Sequence, residues 1–487
     1  MDRPLDITII GAGVIGCAVA RELSRYHLRV AVAEAHPDLF GSTSARNSGV
    51  IHAGFHNTPG SLMARLCVEG NRLFSDLTAH LDVPMRRTGK LVVGFDEEDR
   101  AHLLSMLERG RRNGVPGLTL IGRDELRRLA PAVAGEFALY SASTGIVDPF
   151  QWTWALAENA AQNGVRFLFS SPLTAAVRRD GLWALTVGSR TLYSRWVINC
   201  AGLFSDKVAT LLGLTGYEIY PCRGEYFLLD ERLSSLLPLP AYPVPNYRTG
   251  GLGIHLTPTL EGNILIGPST EYIDGPTDWR TTAPTQDMLL REGQRIFPSL
   301  SRSDCIRAFA GVRPKLTGPD RGGYDDFVIC RREDVSPRVI HLIGMESPGL
   351  TASVPIAREV IRLLGLTESL VERADFDPIR QRPMALRHLG PAAQARLIAD
   401  NPDHGEIVCR CRTITRADVA AALSGPLPAR TLTGLKYRCG AMMGRCQGGY
   451  CQTRLVALME ELAGIPREQL LYGPAGSRLF TGKVRDV

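Results

Sequence analysis

The sequence predicts an α/β protein of three parts: a parallel nucleotide-binding sheet, an antiparallel α+β domain and a small helical unit rich in cysteine. Three observations lead to this prediction. Short apolar segments that end in small-residue turns recur far apart along the chain, strand-like segments broken by proline and glycine lie between them, and cysteines crowd near the C-terminus. With 487 residues, the chain is long enough for two or three domains.

Composition indicates an ordinary globular protein, with 44% hydrophobic and 22% charged residues. The net charge of +6 is modest and no run of Lys and Arg occurs, which argues against nucleic-acid binding and suits a small anionic substrate. No uncharged apolar window of about 18 residues appears, and the N-terminus leads directly into a strand. We therefore expect a cytoplasmic protein with at most peripheral membrane contact.

The N-terminal segment has the pattern strand, glycine turn, helix, strand. The apolar run 7–10 leads into Gly11-Ala12-Gly13-Val14-Ile15-Gly16, a helical pattern follows, and a second apolar strand ends at Glu34. Such a turn lets the backbone approach a pyrophosphate, and the carboxylate can accept hydrogen bonds from a ribose. The pattern therefore predicts a dinucleotide site.

Two more segments continue the nucleotide-binding sheet, and three others predict a second sheet. Residues 196–202 and 339–344 are apolar strands that each end in a small-residue turn. Residues 224–230, 253–256 and 263–266 are strand-like and are interrupted by Pro and Gly, as in an antiparallel sheet that covers a substrate.

Further segments favour FAD over NAD as the dinucleotide. SARNSGVIHAG (44–54), VINCAG and GMESPGLT (344–351) extend the pattern, and the last would begin a helix whose amides could stabilise negative charge on a reduced flavin. Over nearly the first 370 residues the chain resembles the D-amino-acid-oxidase-like FAD superfamily. The resemblance implies a Rossmann-like FAD-binding domain and one substrate domain.

The residues expected at the cofactor follow from these motifs and from the resemblance. They are Gly11, Ala12, Gly13, Val14, Ile15, Gly16, Glu34, Ala35, Ser44, Asn47, Ser48, Gly49, Ile51, Leu173, Ala201, Gly202, Gly311, Arg313, Gly344, Ser347, Pro348, Gly349, Leu350 and Thr351. The oxidoreductase unit is expected over 1–370, with FAD-binding parts at about 1–80, 150–215 and 335–370, and substrate-domain parts at about 81–149 and 216–334. A linker (371–404), a cysteine-rich domain (405–470) and a tail (471–487) follow.

Two subfamilies are similar to this chain. NSGVIHAG, GVRPKLTGP and ESPGLTAS resemble the L-2-hydroxyglutarate dehydrogenases, whereas TPTLEGNILIGP and the cysteine-rich end resemble the bacterial type 2 glycerol-3-phosphate dehydrogenases. The chain departs from both at Met63, where related stretches carry a lysine.

Three residues are the candidates for chemistry on an alcohol, which needs a base for the hydroxyl proton and a cation for an anionic substituent. His52, in SGVIHAG, is the expected base, because an imidazole can accept a proton near neutral pH. Arg313, in AGVRPKL, can hold a carboxylate or phosphate through two hydrogen bonds. His255, in GIHLTP, is a second candidate for substrate contact. A structural histidine and a surface salt bridge are the alternatives.

The cysteine-rich end predicts a [2Fe-2S] centre. Of eleven cysteines, five lie between Cys409 and Cys451, and four of them form the patterns C-x-C (Cys409, Cys411) and C-x4-C (Cys446, Cys451). Two close pairs can supply two thiolates to each iron, whereas zinc, the alternative, favours other spacings. About 406–464 resembles the bacterioferritin-associated ferredoxin-like domain, and Cys439 is expected to be a spectator. Arg438 and Arg445 would offset the cluster charge or be solvated.

Together these features predict an FAD-dependent dehydrogenase of a small anionic secondary alcohol, sn-glycerol 3-phosphate or an L-2-hydroxy acid such as L-2-hydroxyglutarate. Electrons would leave through the [2Fe-2S] cluster, which transfers them one at a time. The resemblance also implies a pyridine-nucleotide-linked flavoprotein as an acceptor subunit. Two alternatives stay open: a dehydrogenase of amines or imino acids, proline-like or opine, and a non-catalytic electron-transfer or redox-sensing subunit.

Overall fold

The computed structural model describes residues 3–245 and 253–482. Its strands are β1 (Leu5–Ile10), β2 (Val30–Ala33), β3 (Val50–Ile51), β4 (Met85–Arg86), β5 (Lys90–Gly94), β6 (Leu118–Gly122), β7 (Phe137–Ser141), β8 (Gly145–Val147), β9 (Arg166–Leu168), β10 (Leu173–Arg179), β11 (Leu182–Val187), β12 (Arg190–Asn199), β13 (Tyr220–Leu229), β14 (Ala241–Pro243), β15 (His255–Pro258), β16 (Ile264–Gly267), β17 (Glu271–Tyr272), β18 (Cys305–Lys315), β19 (Val328–Cys330), β20 (Val339–Ile343), β21 (Ile407–Cys409) and β22 (Ile414–Thr415).

The helices that separate these strands are α1 (Val14–Leu23), α2 (Leu62–His80), α3 (Glu97–Arg112), α4 (Arg123–Leu129), α5 (Pro149–Gln162), α6 (Ser205–Leu211), α7 (Ala283–Ile296), α8 (Gly349–Gly365), α9 (Pro391–Asp400), α10 (Arg416–Ala422), α11 (Leu432–Cys439) and α12 (Gln452–Ala463).

The first sheet has β1 at its centre and is assembled from distant segments, as the sequence predicts. Parallel pairing joins β1 to β2 and to β12, and the C-terminal part of β12 pairs in parallel with β20. The N-terminal part of β12 pairs instead with β11, and β11 pairs with β10, both in the antiparallel direction. Because β1 and β2 are covered on both faces, their residues are almost continuously apolar. β19 (328–330) also joins this sheet by pairing with β20.

Helices α1, α2, α5 and α8 cover one face of the first sheet and form the main hydrophobic core with it. Ten consecutive residues of α1 are buried, because sheet and helices enclose it. The turn before α1 is thereby held rigidly at the carboxyl end of β1, where open α/β sheets bind their ligands.

The second sheet has nine strands, in the order β17-β13-β16-β15-β14-β5-β7-β6, with β18 on the free side of β13. All its pairings are antiparallel except β14 with β5. The three strand segments predicted here correspond to β13, β15 and β16, with shifted ends. The ten-residue pairing of β13 with β18 carries Arg313 to the edge that faces the first sheet.

The C-terminal unit has its own small core, formed by β21, β22 and α10–α12. The segment expected as a linker lies along the main body: Arg380 donates to the buried Glu158 carboxylate at 2.8 Å, and Asp377 accepts from Gln162. Part of the predicted tail also packs, since the amide of Thr433 donates to the carbonyl of Tyr472. Residues 483–487 lie outside the described residues.

A buried ion pair docks this unit onto the nucleotide-binding part. Arg438, on α11, donates to both carboxylate oxygens of Asp38 at 2.8 and 3.2 Å, and both side chains are almost fully buried. Arg438 therefore has neither of the roles expected from sequence. Arg445 is exposed and pairs with Asp230 at 3.1 Å.

We expect Arg438→Met to destabilise the protein by about 3–5 kcal/mol, because it leaves the Asp38 carboxylate buried without a partner. Urea unfolding measures the loss, and limited proteolysis should show earlier cleavage within 371–404. Arg467→Met is the matched control, since Arg467 and its partner Glu460 are both exposed and such a pair contributes less than about 1 kcal/mol. Equal effects of the two substitutions would contradict a docking role for Arg438.

Within the described ranges, no helix is both long and apolar enough to cross a membrane.

Candidate active site and cysteine centre

The turn between β1 and α1 is built so that only glycine fits its two ends. Gly11 has a φ of +101°, and a Cβ there would lie 2.6 Å from the Cys200 carbonyl oxygen. A Cβ on Gly16 would lie 2.0 Å from the Gly11 oxygen, so α1 packs directly on the turn. Gly13 is the N-cap of α1 and offers no side-chain oxygen. The amides at this helix start are thus placed to bind a pyrophosphate.

Two side chains from later in the sequence accept hydrogen bonds from the backbone amides of the same turn. Glu34 follows β2, and its carboxylate accepts from the amides of Ala12 at 2.6 Å and His36 at 2.9 Å. Ser44 Oγ accepts from the amide of Val14 at 2.9 Å. A carboxylate beside the turn, at the end of the second strand, is what the ribose of a dinucleotide requires. The residues present therefore fit FAD.

We expect Gly16→Ala to abolish flavin retention, because the added methyl group collides with the turn backbone. Flavin absorbance per chain after gel filtration measures this, and it should fall below about a tenth of the wild-type value for a collision that only backbone movement can relieve. Gly275→Ala is the matched control, since a Cβ there meets no atom within 4 Å. Full flavin content in Gly16→Ala would contradict this role of the turn.

A cavity between the two sheets collects most of the predicted site residues. Of these, its lining contains Gly13, Val14, Ile15, Ser44, Asn47, Ser48, Gly49, His52, Gly202, His255, Gly311, Arg313, Ser347, Pro348, Gly349 and Leu350. Gly11, Ala12, Gly16, Glu34, Ala35, Ile51, Leu173, Ala201, Gly344 and Thr351 do not line it. Several of these support the lining: Thr351 Oγ1 accepts from the His52 amide at 3.0 Å. Leu173 packs on a separate cluster beside the first sheet.

His52 follows β3 and faces the start of α8. Its Nε2 lies 3.4 Å from Ser347 Oγ, and its backbone is fixed by Thr351 and by Asn71, which donates to its carbonyl at 3.0 Å. Burial, and then the charge of Lys90, lower the pKa of His52 to about 3. The imidazole is therefore neutral near pH 7, and burial makes it a weaker base than an exposed histidine.

Arg313 is fully fixed on β18 opposite His52. Its Nη2 donates to the Ser269 carbonyl at 2.9 Å and to Thr270 Oγ1 at 3.2 Å, while its buried Nε has no hydrogen-bond partner. A buried guanidinium with an unused donor beside a cavity is suited to hold an anionic substituent of a ligand.

The structure adds a basic group that sequence reasoning missed. Lys90 is 1% exposed, and its Nζ lies 3.3 Å from His56 Nε2 and 3.7 Å from the centre of the Tyr242 ring. Burial lowers the pKa of Lys90 to about 7. The ring of His255 stacks on the ring of Tyr242, with the ring centres 3.6 Å apart, and Nδ1 of His255 has no hydrogen-bond partner. A single lysine at the start of the apolar strand β5 was the only signal in the sequence.

A second missed group is the buried ion pair between Lys315 and Glu346. Lys315 Nζ lies 3.2 and 3.3 Å from the two carboxylate oxygens and 4.1 Å from the Tyr324 ring centre. Because Lys315 is neutralised in this way, Arg313 is the cation on β18 that is available to a ligand in the cavity.

The four paired cysteines converge. Sγ of Cys411 lies 3.9 Å from that of Cys409 and 3.7 Å from that of Cys446, and Cys409 is hydrogen-bonded to Cys451. A Cβ on Gly444 would lie 2.5 Å from Cys411 Sγ, so the loop closes around the sulfur only with glycine there.

Backbone amides surround these sulfurs. The amide of Met442 donates to Cys409 and Cys451, and those of Gly448 and Tyr450 donate to Cys446. Burial raises the pKa of Cys446, but these hydrogen bonds outweigh it and hold the pKa below its ordinary value. The hydrogen bond with Cys409 also lowers the pKa of Cys451, whereas the same bond raises the pKa of Cys409 and burial raises the pKa of Cys411 to about 11. The donors therefore favour the thiolate at two of the four cysteines.

In the described part of the chain, no group of three or more His, Cys, Asp or Glu side chains that could hold a metal ion is found. The [2Fe-2S] centre indicated by the cysteine spacing therefore stays a prediction. Cys439 stands apart, because its Sγ donates to the Leu435 carbonyl of its own helix at 3.2 Å.

Comparison with known proteins agrees with this geometry. Residues 6–363 match the family described as FAD dependent oxidoreductase, DAO. The chain is 34% identical over 483 residues to a glycerol 3-phosphate dehydrogenase of Caloramator mitchellensis, covering 99% of each chain. It is 31% identical to the mitochondrial L-2-hydroxyglutarate dehydrogenase of Homo sapiens, over 72% of this chain and 87% of that one.

A solved structure supports the same assignment. The FAD-bound, dithionite-reduced L-alpha-glycerophosphate oxidase of Mycoplasma pneumoniae superposes with a TM-score of 0.73 at 30% identity, over 78% of this chain and all of that one. The family match spans most of the chain, and the glycine turn, Glu34 and the cavity suit the cofactor. The chain therefore belongs to the DAO family of FAD-dependent oxidoreductases.

Proposed function

We propose that this FAD-dependent dehydrogenase oxidises sn-glycerol 3-phosphate at its secondary alcohol. The observation that carries the proposal is that His52, Arg313 and the start of α8 line one cavity with the glycine turn. A base, a cation and a helix N-terminus are the three groups that dehydrogenation of an anionic alcohol requires.

Each of these groups has a separate task. Arg313 binds the anionic substituent through the part of its guanidinium that lines the cavity, and the aromatic ring of Tyr324 closes the same cavity. His52 accepts the hydroxyl proton as the carbonyl forms. FAD held at the glycine turn would supply the acceptor for the carbon-bound hydrogen, which leaves as a hydride. The amides at the start of α8 favour negative charge at that side of the cavity.

Similarity along the whole chain favours glycerol 3-phosphate over L-2-hydroxyglutarate. The glycerol 3-phosphate dehydrogenase relative matches 99% of this chain, including the cysteine-rich end, whereas the human L-2-hydroxyglutarate dehydrogenase matches 72%. L-2-Hydroxyglutarate is the second candidate, because Arg313 lines the active-site cavity and pairs with no carboxylate among the described residues, and one guanidinium suffices for a carboxylate.

We further propose that Cys409, Cys411, Cys446 and Cys451 hold a [2Fe-2S] cluster, which supplies a one-electron exit. Convergence of the four sulfurs and their amide donors support this. Cys411 and Cys446 are exposed while the other two are buried, so the cluster would stand at the surface. A pyridine-nucleotide-linked flavoprotein could take up electrons there.

The test is anaerobic titration of the purified holoprotein with glycerol 3-phosphate, L-2-hydroxyglutarate and L-proline in turn, following flavin absorbance. Bleaching by glycerol 3-phosphate alone is expected. Bleaching by only the hydroxy acid or only the imino acid would replace the substrate, and bleaching by none would favour an electron-transfer subunit.

A further inference from the structure

A second cavity, of about 160 Å³, lies where the C-terminal unit meets the two sheets. We call it the interface cavity. Its walls come from residues 45–48 and 147–150, from the second sheet, and from α11 with the loop that follows it. Arg46, Asn47 and Ser48 also line the active-site cavity, so this short segment separates the two cavities.

Three cations line the interface cavity without a carboxylate partner. Among the described residues, Arg46, Arg307 and Lys436 take part in no ion pair, and Lys436 is only 5% exposed. Arg307 donates to the Gln447 side chain at 2.9 Å, Arg46 donates to a carbonyl at 3.2 Å and its buried Nε has no partner.

The carboxylates of the interface cavity do not neutralise these cations. Asp148 caps α5 by accepting from the amides of Phe150 and Gln151, and burial raises its pKa to about 6. Glu261 is paired with Arg387 and Arg412. Arg46 and Arg307 are therefore uncompensated positive charges in a partly buried place, which is costly unless an anion binds.

The shape of the cavity limits what that anion is. A volume of about 160 Å³ is close to the roughly 150 Å³ of a cavity that holds benzene, which is ample for a small oxyanion. Arginine and lysine donors suit oxyanions, and arginine favours phosphate and carboxylate. Burial, and then the charges of Arg307 and Arg46, lower the pKa of Lys436 to about 7, so a bound anion would favour its protonated form.

We propose that the interface cavity is a binding site for a small oxyanion, free phosphate or the phosphate or carboxylate of a small metabolite, held by Arg46, Arg307 and Lys436. The site is separate from the substrate site and does not depend on the proposed substrate. Its occupant would contact both the segment that lines the active site and the cysteine-rich unit.

The test is calorimetric titration of the full-length holoprotein with inorganic phosphate. Wild type should bind at this site, and Lys436→Met and Arg307→Met should each weaken that binding by about tenfold or more, the effect of one charge-assisted hydrogen bond. Lys436→Arg should retain binding. Lys207→Met is the matched control, because Lys207 is exposed and pairs with Asp206.

Arg313→Met separates the two cavities, because it removes the anion-binding group of the active site but should leave phosphate binding at the interface cavity unchanged. Flavin content and cluster absorbance show that each variant is folded. No phosphate binding at millimolar concentration, loss of binding in Arg313→Met, or unchanged binding in both Lys436→Met and Arg307→Met would overturn the proposal.

Discussion

We expect His52→Asn to lower the rate of flavin reduction by substrate by about 10²–10⁴-fold, the usual contribution of a general base. His52 is neutral at pH 7 because burial and Lys90 lower its pKa to about 3, and its Nε2 is directed at the start of α8. Anaerobic stopped-flow absorbance measures the rate, and substrate affinity should change little, since Arg313 remains.

His80→Asn is the matched control, because His80 is an exposed histidine at the end of α2 and far from the cavity. It should reduce flavin at the wild-type rate. If His255→Asn causes the large loss and His52→Asn does not, the base is His255, whose buried Nδ1 also lacks a partner.

The nucleotide-binding half of the fold was predictable because its signals are local. Ile7 to Ile10, the glycine turn and the strand before Glu34 lie within one short segment, and the two strands pair in parallel as predicted. The strands that begin near Trp196 and Val339 were placed in the same sheet because each ends in a small-residue turn, and both pair there.

The interior of the active site was not predictable in the same way. Lys90 begins an apolar strand, where a lysine ordinarily extends to solvent, and it meets His56, 34 positions earlier, only after two elements pack. Lys315, two positions after Arg313, is neutralised by Glu346, 31 positions later. Local patterns contain no information about such pairs.

The docking of the cysteine-rich unit shows the same limit over a longer range. Asp38 and Arg438 lie 400 positions apart, and nothing near either residue indicates that they form a buried pair. The interface cavity forms where the cysteine-rich unit docks, and its three cations come from three parts of the chain.

The second large effect is expected from Cys446→Ser. If the four thiols hold a [2Fe-2S] cluster, removal of one ligand should eliminate most of the bound iron, about two atoms per chain in wild type. Flavin should remain, since Cys446 lies in the loop before α12 and the glycine turn is untouched. Substrate should then still bleach the flavin anaerobically, while turnover with a one-electron acceptor falls at least about tenfold, because electrons lose their single-electron exit.

Cys439→Ser is the matched control for this experiment. Its thiol is in the same unit, but it donates to a carbonyl of its own helix, and burial raises its pKa to about 12, so it is not a ready thiolate. Iron content and acceptor turnover should stay at wild-type levels in Cys439→Ser. Equal iron loss in both variants would mean that the unit unfolds when any thiol is replaced, and normal iron in Cys446→Ser would remove Cys446 from the ligand set. Loss of acceptor turnover with flavin reduction intact distinguishes an electron exit from a purely structural centre, because a structural role would affect both.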